Sequence, residues 1–222
     1  MFDPSAAHAD RFLHICYCCS GETQEQVISQ FVDQLAFRHT MSTPTERNSG
    51  DVLGFEHDFV AGTAFVYDPR GPRISPAIEI QGWVEPPVDG SPVEDPTALG
   101  LQGLGVAVAD LEGARQKLEG AKATVVARGR SPFGQPWISM RDVTGVSLDL
   151  VEDQATPTGQ SRLAHLRVAC SQLAQSVPWY EGLGFEVLAE AGVDGAAFLG
   201  MADEARGRMV RLKLKAEPFE LI

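Results

Sequence analysis

Two of the five histidines stand at the same place in two similar stretches, Phe12-Leu13-His14-Ile15-Cys16-Tyr17-Cys18-Cys19 and Leu163-Ala164-His165-Leu166-Arg167-Val168-Ala169-Cys170. An imidazole so placed can ligate a metal or carry a proton near neutral pH, although on an apolar strand it also serves as a hydrogen-bonded core residue. The four cysteines offer less. Cys16, Cys18 and Cys19 crowd together while Cys170 is alone. That suits neither a disulfide framework nor the C-x2-C pairs of zinc sites, so they read as reduced thiols buried in strands. His57 alternates with aromatics in Phe55-Glu56-His57-Asp58-Phe59 and reads as an exposed hairpin residue, and His39 has no motif around it. Phosphate-loop lysine, G-x-S-x-G and H-E-x-x-H patterns are all missing, so phosphoryl transfer, serine hydrolysis and zincin chemistry have no support. Gly100, Gly103 and Gly105 come before an apolar run and a helix, whereas a dinucleotide fingerprint needs its glycines after the strand, at the helix start.

The elements that must position these residues form a repeat. Each histidine-bearing strand leads into a helix: Glu22 to Leu35 after the first, with Val27, Ile28, Phe31, Val32 and Leu35 at helical spacing, and a helix carrying Leu173, Val177 and Tyr180 after the second. Both helices run into matching ends, Phe31-Val32-Asp33-Gln34-Leu35-Ala36-Phe37 and Trp179-Tyr180-Glu181-Gly182-Leu183-Gly184-Phe185, where Gly184 is a better stop than Ala36. Trp179 and Tyr180 read as core residues. Three strands are expected behind the first helix, at Val52 to Val60, Thr63 to Tyr67 and Ala77 to Trp83, separated by Ala61-Gly62 and Asp68-Pro69-Arg70-Gly71-Pro72. A middle set has strands at Leu104 to Val108, Ala123 to Ala127, Trp137 to Arg141 and Val146 to Val151, with a helix from Leu111 to Leu118.

The expected fold is therefore α+β, built of repeated βαβββ modules that pair into open, cup-shaped, barrel-like mixed sheets. A curved half-sheet leaves an apolar face open and needs a second one to cover it. The modules are placed at residues 1–98, 99–160 and 161–222, joined by the proline-rich Pro86 to Pro96 and by Asp153 to Gln160. The second is expected to close on the first. The third would then be unpaired within this chain, which predicts either a further module beyond it or a homodimer.

Composition narrows the partners. With 44% hydrophobic and 22% charged residues the chain is ordinarily globular. Eighteen basic against thirty acidic side chains leave a charge of −12, which repels phosphate backbones and anionic lipid. Neither a nucleic acid nor a membrane partner is expected. Met1 is followed by Asp3, His8, Asp10 and Arg11 rather than a basic-then-apolar leader, and the expected location is cytoplasmic.

The histidine strands, the two helix ends, Asp142-Val143-Thr144-Gly145-Val146-Ser147-Leu148-Asp149-Leu150 and Ala77-Ile78-Glu79-Ile80 together resemble the vicinal-oxygen-chelate superfamily, which includes glyoxalase, bleomycin-resistance and extradiol-dioxygenase proteins. The resemblance covers nearly the whole chain. It implies one divalent metal ion (iron, manganese, zinc or nickel) in a cup, held by a residue from the first strand and one from the last strand of each module. His14 and Glu79 match those positions in the first module. Gly103 stands where the second would supply histidine or glutamine, Asp149 where it would supply glutamate, and His165 and Glu220 match in the third. Such an ion would bind two adjacent oxygens of a small substrate while Glu79, Asp149 or Glu220 moves the proton. The implied activity is that of a ring-cleaving dioxygenase or a glyoxalase-type lyase or isomerase. The alternatives are a metal-free binder that holds a drug-like molecule in the apolar cup, and a scaffold with a vestigial site.

Overall fold

A computed structural model describes residues 9–194, 197–202 and 206–222. The first unit comprises β1 (His14–Ser20), α1 (Gln24–Ser29), β2 (Arg38–Asn48), β3 (Phe59–Tyr67) and β4 (Ala77–Glu85). Its four strands form one sheet in the order β1-β4-β3-β2, with β1 parallel to β4. Alternation in β4 decides its faces: Ile78 and Ile80 are fully buried while Glu79 and Gln81 look the other way. The helix runs on as a π-helical turn, Gln30–Gln34, and still buries Val27, Phe31 and Leu35 completely. It ends at Ala36 in the left-handed region (φ 57°), the place that Gly184 (φ 104°) takes in the third unit.

Two expected strands are corrected here. The strand placed at Val52 to Val60 is instead β2, some fourteen positions earlier in its start, and Gly50–Leu53 is a short 3-10 turn. Nearly every residue of β2 is exposed, so this edge strand has no buried alternation to reveal it. Ala61-Gly62 does not break the next strand, because β3 runs through it. A side chain at Gly62 would come within 2.5 Å of the Thr45 hydroxyl on β2, so glycine here admits a neighbouring strand rather than a turn.

The second unit holds β5 (Gly100–Val108), α2 (Leu111–Gly120), β6 (Thr124–Arg130), β7 (Pro136–Arg141) and β8 (Ser147–Glu152). The third holds β9 (Ser161–Ala169), α3 (Leu173–Gly182), β10 (Phe185–Asp194), β11 (Arg206–Leu214) and β12 (Glu220–Leu221). These eight strands make one sheet, β10-β11-β12-β9-β5-β8-β7-β6. The join is antiparallel pairing of the two first strands, β5 and β9. The expectation that the third unit is unpaired within this chain is thus corrected: the second and third share a sheet and the first has its own.

The first unit packs on the other two through one core, in which Val27, Phe31 and Leu35 share a cluster with Leu104, Val106, Leu118, Leu148 and Leu150 of the second unit and with Leu163 and Phe219 of the third. Burying these side chains removes roughly 1.5–3 kcal/mol worth of apolar surface each from water. Polar ties accompany it. The Tyr17 hydroxyl donates to Asp142 of the second unit, and toward β9 of the third unit Asp68 accepts the Leu163 amide at 2.9 Å while Arg70 donates to the Leu163 carbonyl at 2.7 Å. At the start of α2, Asp110 caps the helix by accepting the Gly113 amide at 2.9 Å. Asp110→Ala is expected to lower stability by about 1 kcal/mol, read as a drop in thermal midpoint. No helix is long and apolar enough to cross a membrane among the described residues.

Candidate functional site

Residues opposite one another in register share a face of a sheet, so the pairing shows which side chains meet. In the eight-stranded sheet Gly105 lies opposite both Asp149 and His165, and His165 lies opposite Glu220. The position expected of Gly103 therefore belongs to Gly105, a correction of two residues along the same face. A Cβ at Gly105 would fall 2.1–2.3 Å from the His165 ring, and one at Gly103 would fall 2.7 Å from the Arg167 guanidinium. These glycines are the room in which the side chains of β9 lie.

Asp149 is completely buried. Ser139 Oγ donates to it at 2.9 Å, Trp137 Nε1 at 3.3 Å and Arg167 Nε at 3.0 Å. Burial by itself would push this carboxyl upward, but the charge and hydrogen bond of Arg167, with the His165 ring close by, outweigh it and hold the group at about 2. His165 is 3% exposed and stacks on Trp137 with ring centroids 4.9 Å apart. Its Nε2 is 3.6 Å from Asp149 and has no hydrogen-bond partner among the described residues. Glu220 is gripped by Arg211 through two bonds of 2.7 and 2.6 Å, a fork-on-carboxylate pair. Buried Phe198 and Leu199 pack over this face with Trp137, Val193 and Met209. A hollow of about 290 Å³ remains, bordered by Arg70, Arg162, His165, Arg211 and Glu220.

The four-stranded sheet presents the opposite situation. His14, Cys16 and Cys18 alternate along one exposed face of β1, beside Glu79 and Gln81 of β4. His14 Nε2 is 3.0 Å from Glu79 Oε2, with the two side chains 41% and 16% exposed. The register partner of Glu79 is Cys16, so His14 stands two residues before the position that His165 takes opposite Glu220, and it reaches Glu79 diagonally. Cys16 Sγ and Cys18 Sγ are 3.7 Å apart, and Gln81 Oε1 accepts from Cys16 at 3.5 Å. The hydrogen bond from Cys16 pulls the Cys18 thiol down to about 6 and pushes that of Cys16 far above its usual range. Of the four free cysteines only Cys19 is buried, which corrects the expectation of buried strand thiols. A cavity of about 240 Å³ opens beside Cys16 and Cys18, walled by Ile15, Leu101, Leu104 and Leu166. The pairing of these two thiols carried no sequence signal beyond their alternation on one strand.

Other expected residues fall elsewhere. His39 Nε2 bonds the Ser42 hydroxyl at 2.8 Å, and His57 is exposed, both in agreement with their bland readings. Trp179 is 62% exposed rather than in the core.

The two sheets differ in their fitness for a metal ion. On the eight-stranded sheet the donors do not fit one, since Gly105 supplies no ligand and the acids of Asp149 and Glu220 are each neutralised by a guanidinium. On the four-stranded sheet an imidazole and a carboxylate, with no arginine partner in contact among the described residues, are accessible together, which fits half of a site. His14 and Glu79 are not brought together with Asp149, and no group of three or more histidine, cysteine, aspartate or glutamate side chains able to hold an ion occurs among the described residues.

Maize glyoxalase I superposes on 95% of this chain with a TM-score of 0.66 at 17% identity, and the chain spans 66% of the maize protein's length. The chain has the vicinal-oxygen-chelate fold. A candidate dioxygenase from Bacillus subtilis shares this vicinal-oxygen-chelate architecture over 97% of the chain and 64% of its own length, with a TM-score of 0.61 at 14% identity. A glyoxalase family protein from Bacillus cereus matches 64% of the chain and 93% of itself, at 0.53 and 18%. No family model matches the sequence. No curated protein matches it either.

Proposed function

We propose that this protein is a metal-dependent enzyme of the glyoxalase and extradiol-dioxygenase kind, acting on a small molecule with two neighbouring oxygens on the open face of the first unit. The observation that carries this reading is the His14–Glu79 pair at 3.0 Å, set on the first and last strands of its unit and open to solvent. His14 and Glu79 would hold the ion, and an ion there would polarise the two oxygens of the substrate. Asp149 has its oxygens engaged by Ser139, Trp137 and Arg167, so Glu79 is the carboxylate with capacity to accept a substrate proton. The edge of the Phe65 ring lies against His14, at 6.5 Å between centroids, and limits the directions in which the imidazole turns.

Half a cup needs a facing half. β1 ends its sheet, whereas the corresponding first strands of the other two units, β5 and β9, pair with each other. A second copy of the chain, adding its own first strand antiparallel to β1, would bring two imidazoles and two carboxylates to one seam. Wild-type protein is expected to be a dimer by light scattering and to retain one iron, nickel, zinc or manganese ion per site by elemental analysis. His14→Ala and Glu79→Gln are each expected to weaken metal affinity at least tenfold without loss of fold, both side chains being outside the core. Equal affinity in wild type and variants would remove the reading. Oxygen uptake with a catechol would then divide ring cleavage from isomerisation.

A second reading is favoured by the arginine-neutralised acids of the eight-stranded sheet: its hollow holds a small organic molecule with no metal. Ligand affinity undiminished by a chelator, and unchanged in His14→Ala, would favour it over the first.

A further inference from the structure

The geometry points to a two-thiolate site for a thiophilic cation of the zinc, cadmium or copper(I) class at Cys16 and Cys18. Both thiols project from the same exposed face of β1, with their sulfurs 3.7 Å apart. Two Zn–S bonds of ~2.3 Å meeting at a tetrahedral angle span ~3.8 Å, so the observed gap already matches one edge of a thiolate-ligated ion. A disulfide matches far less well. Residues two apart in an extended strand hold their Cα atoms about 6.6–6.8 Å apart, at the extreme of the disulfide range, and pairing of both positions with β4 prevents the strand from folding inward.

The surroundings suit a cation. Gln81 directs its carbonyl oxygen at both sulfurs, 3.5 Å from Cys16 and 4.0 Å from Cys18, and Glu79 faces Cys16 in the strand register. Among the described residues no third histidine, cysteine or acid closes around the pair, so solvent or a ligand in the adjoining 240 Å³ cavity completes the coordination. The sulfurs bind as thiolates and their protons leave to solvent as the ion enters. This site uses different donors from the His14–Glu79 pair and stands without it.

Titration of the reduced full chain with Cd(II), followed by the ultraviolet thiolate-to-cadmium band, tests the assignment. One cadmium per chain is expected, with affinity reduced at least tenfold in Cys16→Ser and in Cys18→Ser and unchanged in Cys170→Ser. The band is also expected to persist in His14→Ala, which separates failure here from failure of the enzyme reading. Persistence of the band in the Cys16→Ser/Cys18→Ser double variant overturns the site, as does its absence from wild type. Loss of two mass units under mild oxidation, assigned to a Cys16–Cys18 disulfide, overturns the geometric argument.

Discussion

Arg167→Met is expected to destabilise the protein by about 3–5 kcal/mol, the cost of leaving a buried charge without its partner. Arg167 is 5% exposed and donates to Asp149 at 3.0 Å and to Ser147 Oγ at 3.1 Å. Removing it strands a carboxylate that no water reaches. A urea titration measures the effect, and a loss below about 1 kcal/mol would show that Ser139, Trp137 and His165 suffice to hold the acid. Removing both charges, as in Arg167→Met with Asp149→Leu, should recover most of the loss, because the pair as a whole contributes little beyond its own desolvation cost. The same acid sets a pH dependence. Its folded value of about 2 lies below the ordinary 3.8, so its stabilisation is fully present above about pH 4 and fades as pH falls toward 2. In Arg167→Met the decline should begin at higher pH, since burial then acts on Asp149 with less opposition.

Gly105→Ala is the second large effect expected. The added methyl would sit 2.1 Å from His165 Cε1 and 2.3 Å from both ring nitrogens, distances at which something must move. The ring cannot withdraw easily, because it stacks on Trp137 and is 97% enclosed, 3% of its surface being exposed. Overpacking of a filled core costs about 1–3 kcal/mol and occasionally more, and this site belongs at the upper end. The decisive control is Gly105→Ala combined with His165→Ala, which removes the collision. If the double variant is no more stable than Gly105→Ala alone, after allowing for the loss caused by His165→Ala by itself, the clash is not the cause.

Most helices and inner strands were legible because they alternate strongly. Val27, Phe31 and Leu35 show a helix that buries one stripe, and Ile78 and Ile80 show a strand that buries one face. β2 was not legible, since a solvent-facing edge strand leaves hydrophobicity without a period to detect. The candidate site was half legible. His14, Glu79, His165 and Glu220 could be found from repeated strand positions, yet their neighbours in space could not. Arg211 grips Glu220 from another strand, and Arg167, only two residues from His165, gave no sign that it would reach Asp149.

Local pattern determined on its own where most of the helices and inner strands lie, because side-chain periodicity along an element needs no knowledge of distant chain. Which units share a sheet was decided only in three dimensions. The edges of β1, β5 and β9 offer similar backbone groups for pairing, and a hydrogen-bond donor on a strand edge does not encode its partner. Where β5 pairs with β9, the side chains of His165 and Arg167 lie over Gly105 and Gly103, a fit that only small residues on β5 allow. The same pairing left His14 and Glu79 open while it enclosed Asp149 and His165 among their own counter-charges.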